Sequence, residues 1–462
     1  VVVDHLKQEV FMFTTSKNAS SQAQVLSQAR FFSHRLEDFL SPFLQQLDRL
    51  LDRRLVATFL GLCQCLIRHR SRSSGLVLSE LGGVLLSGDK APAGTKRLSN
   101  LLRSPKWSWE VITDYLSQGA QRYVDQLLEA ERELPLLLWD ESVQEKTESI
   151  KSEGLCAVRS TKAKRALRVK PGYYDPPVKQ AVHVPGFRWV GLVCCGLWAQ
   201  PMLARFQWWT SRGQHATSLA QVRLTLLLWA RETFGKDVLH VFDRGYASAK
   251  WLGLLLARTD RFLLRWPSRF KLLDIKGLLK HAYRFSVGRK ASSSKVVRDM
   301  VRNITYRRSL VWQPCLHRDY PDCPLTLIIC RPGRKGRQPW YLLTNEEVKS
   351  DRQAWRLVFA YARRWQVEQA FRFNKSEMGM ESCRLWFWES RMKLLQIVTL
   401  VYAFLLSLLD KELRQAISDL LRQGCHRTGK RCRKTPTPLY RIRLALANLW
   451  NLLLLSLTQS SG

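Results

Sequence analysis

Acidic residues are what this sequence is short of. In 462 residues, 38 Asp and Glu stand against 74 Lys and Arg, a formal charge of +36. Such a surface attracts phosphates and repels a second copy of itself, so a polyanionic partner is expected: nucleic acid first, an acidic lipid surface second. Long apolar runs are missing too. The longest, Leu394 to Leu409, is broken by Gln396, Thr399 and Ser407 and flanked by Lys393 and Asp410. A spanning helix needs about 20 apolar residues. The run reads as a buried helix, and no membrane partner is expected. The opening residues, Val1 to His5, lack the basic-then-apolar pattern of a secretory signal and an initiator Met, which leaves open whether the N-terminus is complete. Paired cysteines are lacking as well. The 11 Cys are odd in number and scattered, with Cys194 beside Cys195, which fits reduced thiols in a cytoplasm. Cys315, His317, Cys323 and Cys330 come nearest to a zinc cluster, but they lack the tight C-x₂-C pair of a closed site. Cys425 and Cys432 find no convincing partner beyond His426. No repeat of 20 to 50 residues recurs, which excludes solenoids and propellers.

What is present is enough to build cores. A hydrophobic fraction of 46% excludes disorder as the main description. Length alone allows roughly two to four domains, and some of the 17 Trp are candidates for stacking on bases. Residues 1–130 read as a helical region. Phe32, Leu36, Phe39, Leu40, Phe43, Leu44 and Leu47 recur at three- and four-residue spacing. Lys96, Arg97 and Arg103 follow a Gly-rich turn on a short helix, where cationic side chains suit insertion into a DNA groove. The competing reading of those three is an ordinary solvated helix face.

The pattern changes at Leu134. Residues 134–140 form a short apolar run ending in Asp140, and residues 238–243 form another ending in Asp243, with Arg244-Gly245-Tyr246 as its turn. Between them lie strand-like runs at 186–198 and 202–209 and a helical pattern at 218–234. A helix at 249–258 and a strand at 261–266 follow. Residues 131–410 therefore read as a mixed α/β domain. It is interrupted by a β-rich insertion at about 267–345, where residues 269–337 carry 17 Lys and Arg against 4 Asp and Glu. Helix returns at 350–378. Residues 411–462 form a basic helical C-terminal region, with 424–438 the expected linker.

Within the 350–378 helix, Tyr361, Arg364, Glu368 and Lys375 fall within roughly 60° of arc at 100° per residue. One face would thus present a carboxylate flanked by two cations and a phenol, with Arg372 on the same arc. A surface network of ion pairs is the plain alternative, but Trp365, Phe371 and Phe373 surround the face with aromatic bulk. Two strand-end aspartates and a helix glutamate suit phosphodiester chemistry with two hard cations.

The stretch Tyr361-Ala362-Arg363-Arg364-Trp365-Gln366-Val367-Glu368, continued to Lys375, resembles the Y-R-E-K signature of bacterial insertion-sequence DDE transposases. The Asp-Arg-Gly-Tyr turn at 243–246 and Trp139-Asp140-Glu141-Ser142 resemble that family's other two acid motifs. The resemblance implies an RNase H-like fold and a cut-and-paste transposase that cleaves the ends of its own element and joins them to target DNA. It makes Asp140, Asp243 and Glu368 the catalytic, metal-binding triad for two Mg²⁺ ions, with Mn²⁺ able to substitute. Asp140 is favoured over its neighbour Glu141. Tyr361, Arg364 and Lys375 would grip phosphates at the DNA end, with Arg244 a further contact, and Trp340 would hold a flipped base. DNA, as terminal inverted repeats and target, is the implied partner. A homodimer assembled on two ends and a cytoplasmic, nucleoid-associated location are expected with it. A decayed transposase acting as a DNA-binding repressor is the rival reading, and a stand-alone RNase H-like nuclease is another. The intact acid set speaks against the first, and the Y-R-E-K stripe against the second.

Overall fold

The computed structural model describes residues 19–130, 133–146, 149, 151–160, 182–258, 260–299, 304–333, 338–425 and 439–459. Residues 426–438, most of the expected linker with His426 and Cys432, lie outside them. The chain divides into two compact units, one of Val1–Arg70, Leu78–Leu101 and Leu408–Gly462, the other of Ser71–Val77 and Leu102–Ser407.

The first unit is helical among its described residues. Helix α1 (Ala19–Asp48) buries Phe32, Leu36, Leu40, Phe43 and Leu47, the stripe that its spacing dictates. Asp52 caps α2 (Arg53–Arg68) by accepting from the amides of Arg54 and Leu55 at 3.0 Å, an arrangement that contributes about 1 kcal/mol. The tail belongs to this unit through helices Arg414–Gly424 and Leu439–Gln459. Buried Arg443 of the tail donates to the carbonyls of Leu66 and His69, which the end of α2 would otherwise leave unpaired. Helices α3 (Leu78–Leu85) and α4 (Ala91–Arg103) meet backbone to backbone, since a Cβ on Gly94 would stand 2.2 Å from the Gly82 carbonyl oxygen. Lys96 and Arg97 are exposed on α4 within this unit, whereas Arg103, expected beside them, falls in the second.

Among its described residues the second unit is built on one sheet of twelve strands. Helix α5 (Glu110–Glu129) precedes β1 (Leu136–Glu145), β2 (Cys156–Arg159), β3 (His183–Cys195) and β4 (Met202–Trp209). Helix α6 (Leu219–Phe234), β5 (Leu239–Phe242), α7 (Ala249–Ala257) and β6 (Phe262–Arg265) follow. Strand β3 lies antiparallel between β1 and β4, while β5 runs parallel to β1 and β6 parallel to β5. Six further strands occupy the basic region: β7 (Lys271–Leu273), β8 (Leu279–His281), β9 (Ser293–Asp299), β10 (Ile304–His317), β11 (Tyr320–Pro332) and β12 (Trp340–Thr344). They continue the same sheet, because β12 pairs antiparallel with β6 and then leads to β11 and β10. Short β2, which pairs with the start of β3, has too few residues to show a period and was not expected.

Three differences from the sequence reading bear on the site. First, β1 does not end at its acid but continues to Glu145, held there by β3. Its pairing with β5 stops at Leu138, so Asp140 still lies where the parallel pair parts. Second, the helix expected across 350–378 is two helices, α8 (Asp351–Arg363) and α9 (Trp365–Ser376), joined at Arg364. The amides of Arg364 and Val367 each reach back three residues, to Tyr361 and Arg364, which tightens the chain at that junction. Third, most of the apolar run at 394–409 lies in a helix that begins earlier, α10 (Trp388–Ser407), whose 20 residues are long and apolar enough to cross a membrane. Its most apolar window is 94% buried inside the protein, which accounts for its composition.

Candidate active site

Alternation along β1 sorts its neighbouring side chains onto opposite faces. Trp139 points into the core on one side, where its indole Nε1 donates to His240 Nδ1 at 3.1 Å. Glu141 faces the same side and accepts from Arg223 of α6 at 2.6 Å. Asp140 and Ser142 face the other way, toward α9. The Asp140/Glu141 pair is thereby divided, with only Asp140 turned to the remaining candidate residues. Asp243 follows the last residue of β5 and starts a 3₁₀ turn over Arg244–Tyr246. Both aspartates thus lie toward the carboxyl ends of parallel strands, where open α/β sheets form their binding crevices.

Arg364 joins these acids to the helix. Its Nη1 donates to Asp140 Oδ2 at 3.1 Å, its Nη2 donates to Glu368 Oε1, and its Nε stands 3.9 Å from Asp243 Oδ1. At 6% exposure the guanidinium is enclosed. Arg364, expected to grip phosphates at the DNA end, sits here among the three carboxylates. Burial alone would lower its pKa, but Tyr361, Asp243, Asp140 and Glu368 around it hold it well above its ordinary value. Burial raises Asp140 to about 7; Arg364 and the Glu141 amide pull it down, while Glu368 and Asp243 push it up. The Tyr361 hydroxyl donates to Asp243 Oδ1 at 3.3 Å and accepts from Arg265 Nη1 at 3.4 Å.

Lys375 donates to Ser142 Oγ at 2.7 Å, two residues beyond Asp140 on the same strand face. Gly191 of β3 stands opposite Asp140 in the ladder, and Phe371 of α9 fills the space that a side chain there would take. Trp340, at the start of β12, meets the Tyr361 ring edge-on at 5.1 Å. Its other partner is the guanidinium of buried Arg308, 3.9 Å from the ring centre. Arg244 and Arg372 are exposed.

The site therefore draws together Asp140, Asp243, Glu368, Tyr361, Arg364, Lys375 and Trp340. Arg265, Arg308 and Ser142 complete it and were missed from sequence. Ser142 was legible as the period-2 neighbour of Asp140, and Arg308 as one of two consecutive strand arginines that must face opposite ways. The Cys315 cluster does not assemble: Cys315 pairs with Leu325 in the ladder and Cys330 with Leu310. Among the described residues no three His, Cys, Asp or Glu side chains form a group able to hold a metal, because the guanidinium stands between the three acids. The donor set nevertheless suits a hard cation, since three carboxylates converge on one point and Arg364 offers a single positive charge against them.

Residues 211–404 match the protein family described as Transposase DDE domain. No curated protein matches the chain. Among solved structures, a cryo-EM structure of the piggyBac transposase synaptic complex with hairpin DNA aligns with 88% of this chain and 73% of its own. It does so at 12% identity and a TM-score of 0.40. The family match spans Asp243 and Glu368 and leaves Asp140 outside it. Over that stretch the chain is similar to the DDE domain of transposases.

Proposed function

We propose that this chain is a cut-and-paste DNA transposase in which Asp140, Asp243 and Glu368 hold two Mg²⁺ ions at a DNA phosphodiester, with Mn²⁺ able to substitute. Such ions, when bound, activate the attacking oxygen and stabilise the leaving one. The convergence of the three acids on Arg364 carries the reading. The strand order β4-β3-β1-β5-β6, with one acid on β1, one after β5 and one on a later helix, supports an RNase H-like catalytic core. Strands β7 to β12 are then its insertion.

The protein's own side chains do the positioning. Arg364 gathers the carboxylates, and Tyr361 orients Asp243 through its hydroxyl. Lys375 and Arg244 meet phosphates of the DNA end, and Trp340 takes a displaced base. Lys96 and Arg97 on α4 read the terminal repeat from the helical unit. Two copies act together on two ends as a homodimer, in the cytoplasm at the nucleoid.

The test is a strand-resolved cleavage assay with Mg²⁺ on the inverted repeats that flank the reading frame. Asp140→Ala, Asp243→Ala and Glu368→Ala should each abolish cutting while end binding persists. Normal cutting by all three variants would refute the mechanism.

A further inference from the structure

Trp386 and Phe387 are 53% and 54% exposed, although they lie in a segment that the protein holds firmly. The clamp is Arg391, itself 1% exposed. Its Nε and Nη2 donate to the Leu385 carbonyl at 3.1 and 2.8 Å. Nη2 also reaches the Trp386 carbonyl at 2.8 Å, and Nη1 the Glu153 carbonyl at 2.9 Å. Its guanidinium lies 4.1 Å from the centre of the Phe187 ring. From the other side Glu153 donates its amide to the Trp386 carbonyl at 3.0 Å and accepts from the Trp388 amide at 2.6 Å. A buried guanidinium is tolerated only when its donors are used, and here they fix the backbone that carries two outward-facing aromatic rings. Flexible exposed aromatics need no explanation. Rigid ones form a surface prepared in advance.

Phe387 also forms a wall of an open cleft of about 530 Å³ with Arg103, Trp107, Glu389 and Lys393. The Arg103 guanidinium stands 5.9 Å from the Phe387 ring centre. Lys393, 4% exposed, donates to the Ser104 carbonyl at 2.7 Å and lies 5.0 Å from the Trp107 ring. Lys106 and Arg384 are exposed in the same two segments. Aromatic faces interleaved with cations match a strand whose bases are unpaired, because base faces stack and phosphates pair with the cations. A closed duplex hides those faces.

We propose that Trp386 and Phe387 are a stacking platform for unpaired bases of a DNA strand, with Arg103, Lys106 and Arg384 meeting its phosphates. The proposal rests on the reading of this chain as a DNA-processing protein, and it adds a site apart from the acids and from Trp340.

The test uses the full chain in chelator-containing buffer. Fluorescence anisotropy compares a blunt duplex with the same duplex bearing a short single-stranded tail. The parent should prefer the tailed duplex by about tenfold, the scale of one or two stacked bases. Trp386→Ala/Phe387→Ala should bind blunt duplex as the parent does and lose that preference, while Trp386→Tyr/Phe387→Tyr should keep it. If the alanine variant fails to fold, a photoreactive base in the tail should crosslink to Trp386 or Phe387 of the parent. An alanine variant that retains the preference would overturn the proposal, as would a parent without it or crosslinks only elsewhere. So would a variant whose sole defect is lost self-association in sedimentation, since the rings would then be a contact between copies. Metal-dependent cleavage is scored separately. Its absence beside an intact tail preference refutes the transposase reading alone, and its presence without that preference refutes the platform alone.

Discussion

Arg364 Nη1 donates to Asp140 Oδ2 at 3.1 Å across 224 positions of sequence. That bond ties the first strand of the sheet to the junction between α8 and α9. Arg364→Ala would leave three carboxylates facing one another with no cation between them. Breaking a buried pair in this way typically costs about 3–5 kcal/mol, so calorimetry in chelator should show a clear fall in melting temperature. Arg364→Lys should recover only part of it, because an ammonium cannot fork between two acids. An unchanged melting temperature for the alanine variant would show that Arg364 does not hold the acids together.

Glu141 and Asp140 should separate in function. Glu141 is bound to Arg223 on the opposite face of β1, a partly exposed pair whose loss costs at most about 1 kcal/mol. Glu141→Gln should therefore cut DNA at close to the parental rate, whereas Asp140→Asn should not cut. The reverse result would move the first acid by one residue.

His240 supplies a pH dependence of stability. Burial holds its pKa down at about 3, against an ordinary value of 6.5. The unfolded chain therefore takes up a proton between those values while the folded chain does not. The stabilisation is present above about pH 6.5 and is lost as pH falls toward 3, a contribution of a few kcal/mol by linkage. Melting temperature followed from pH 7 to pH 4 should fall less steeply for His240→Gln than for the parent. Parallel curves would mean that His240 is already charged in the fold.

Gly94→Ala tests the helix crossing in the first unit. The added Cβ would meet the Gly82 carbonyl oxygen at 2.2 Å, a backbone atom with little room to retreat. Overpacking of this kind costs about 1–3 kcal/mol, measurable by urea unfolding. Affinity for terminal DNA should fall with it, because α4 carries Lys96 and Arg97. Gly88→Ala, with nothing within 4 Å of its Cβ, is the matched control.

The sequence made the site legible where spacing alone fixes geometry. Asp140 and Asp243 end short apolar runs that read as buried strands, and Glu368 shares a helical arc with Lys375. What escaped was set by partners distant in sequence. Nothing local shows that Arg364 turns inward, since its acids arrive from β1 and from the end of β5. The break between α8 and α9 escaped for the same reason, because no Pro or Gly marks Arg364 and the tightening follows from tertiary packing. The pinned segment at Trp386 was unreadable too, as the carbonyls that Arg391 holds come partly from Glu153.

Gly191 stands opposite Asp140 in the ladder, and an added Cβ there would lie 2.6 Å from a ring carbon of Phe371, one turn beyond Glu368. The clearance between sheet and helix is thus gauged by a hydrogen atom. A methyl group at 191 would have to displace the Phe371 ring, and any movement of α9 with it would carry Glu368 out of line while leaving all three acids chemically intact. The site can thus be lost through a residue with no functional group. Counting its acids would still score it as whole.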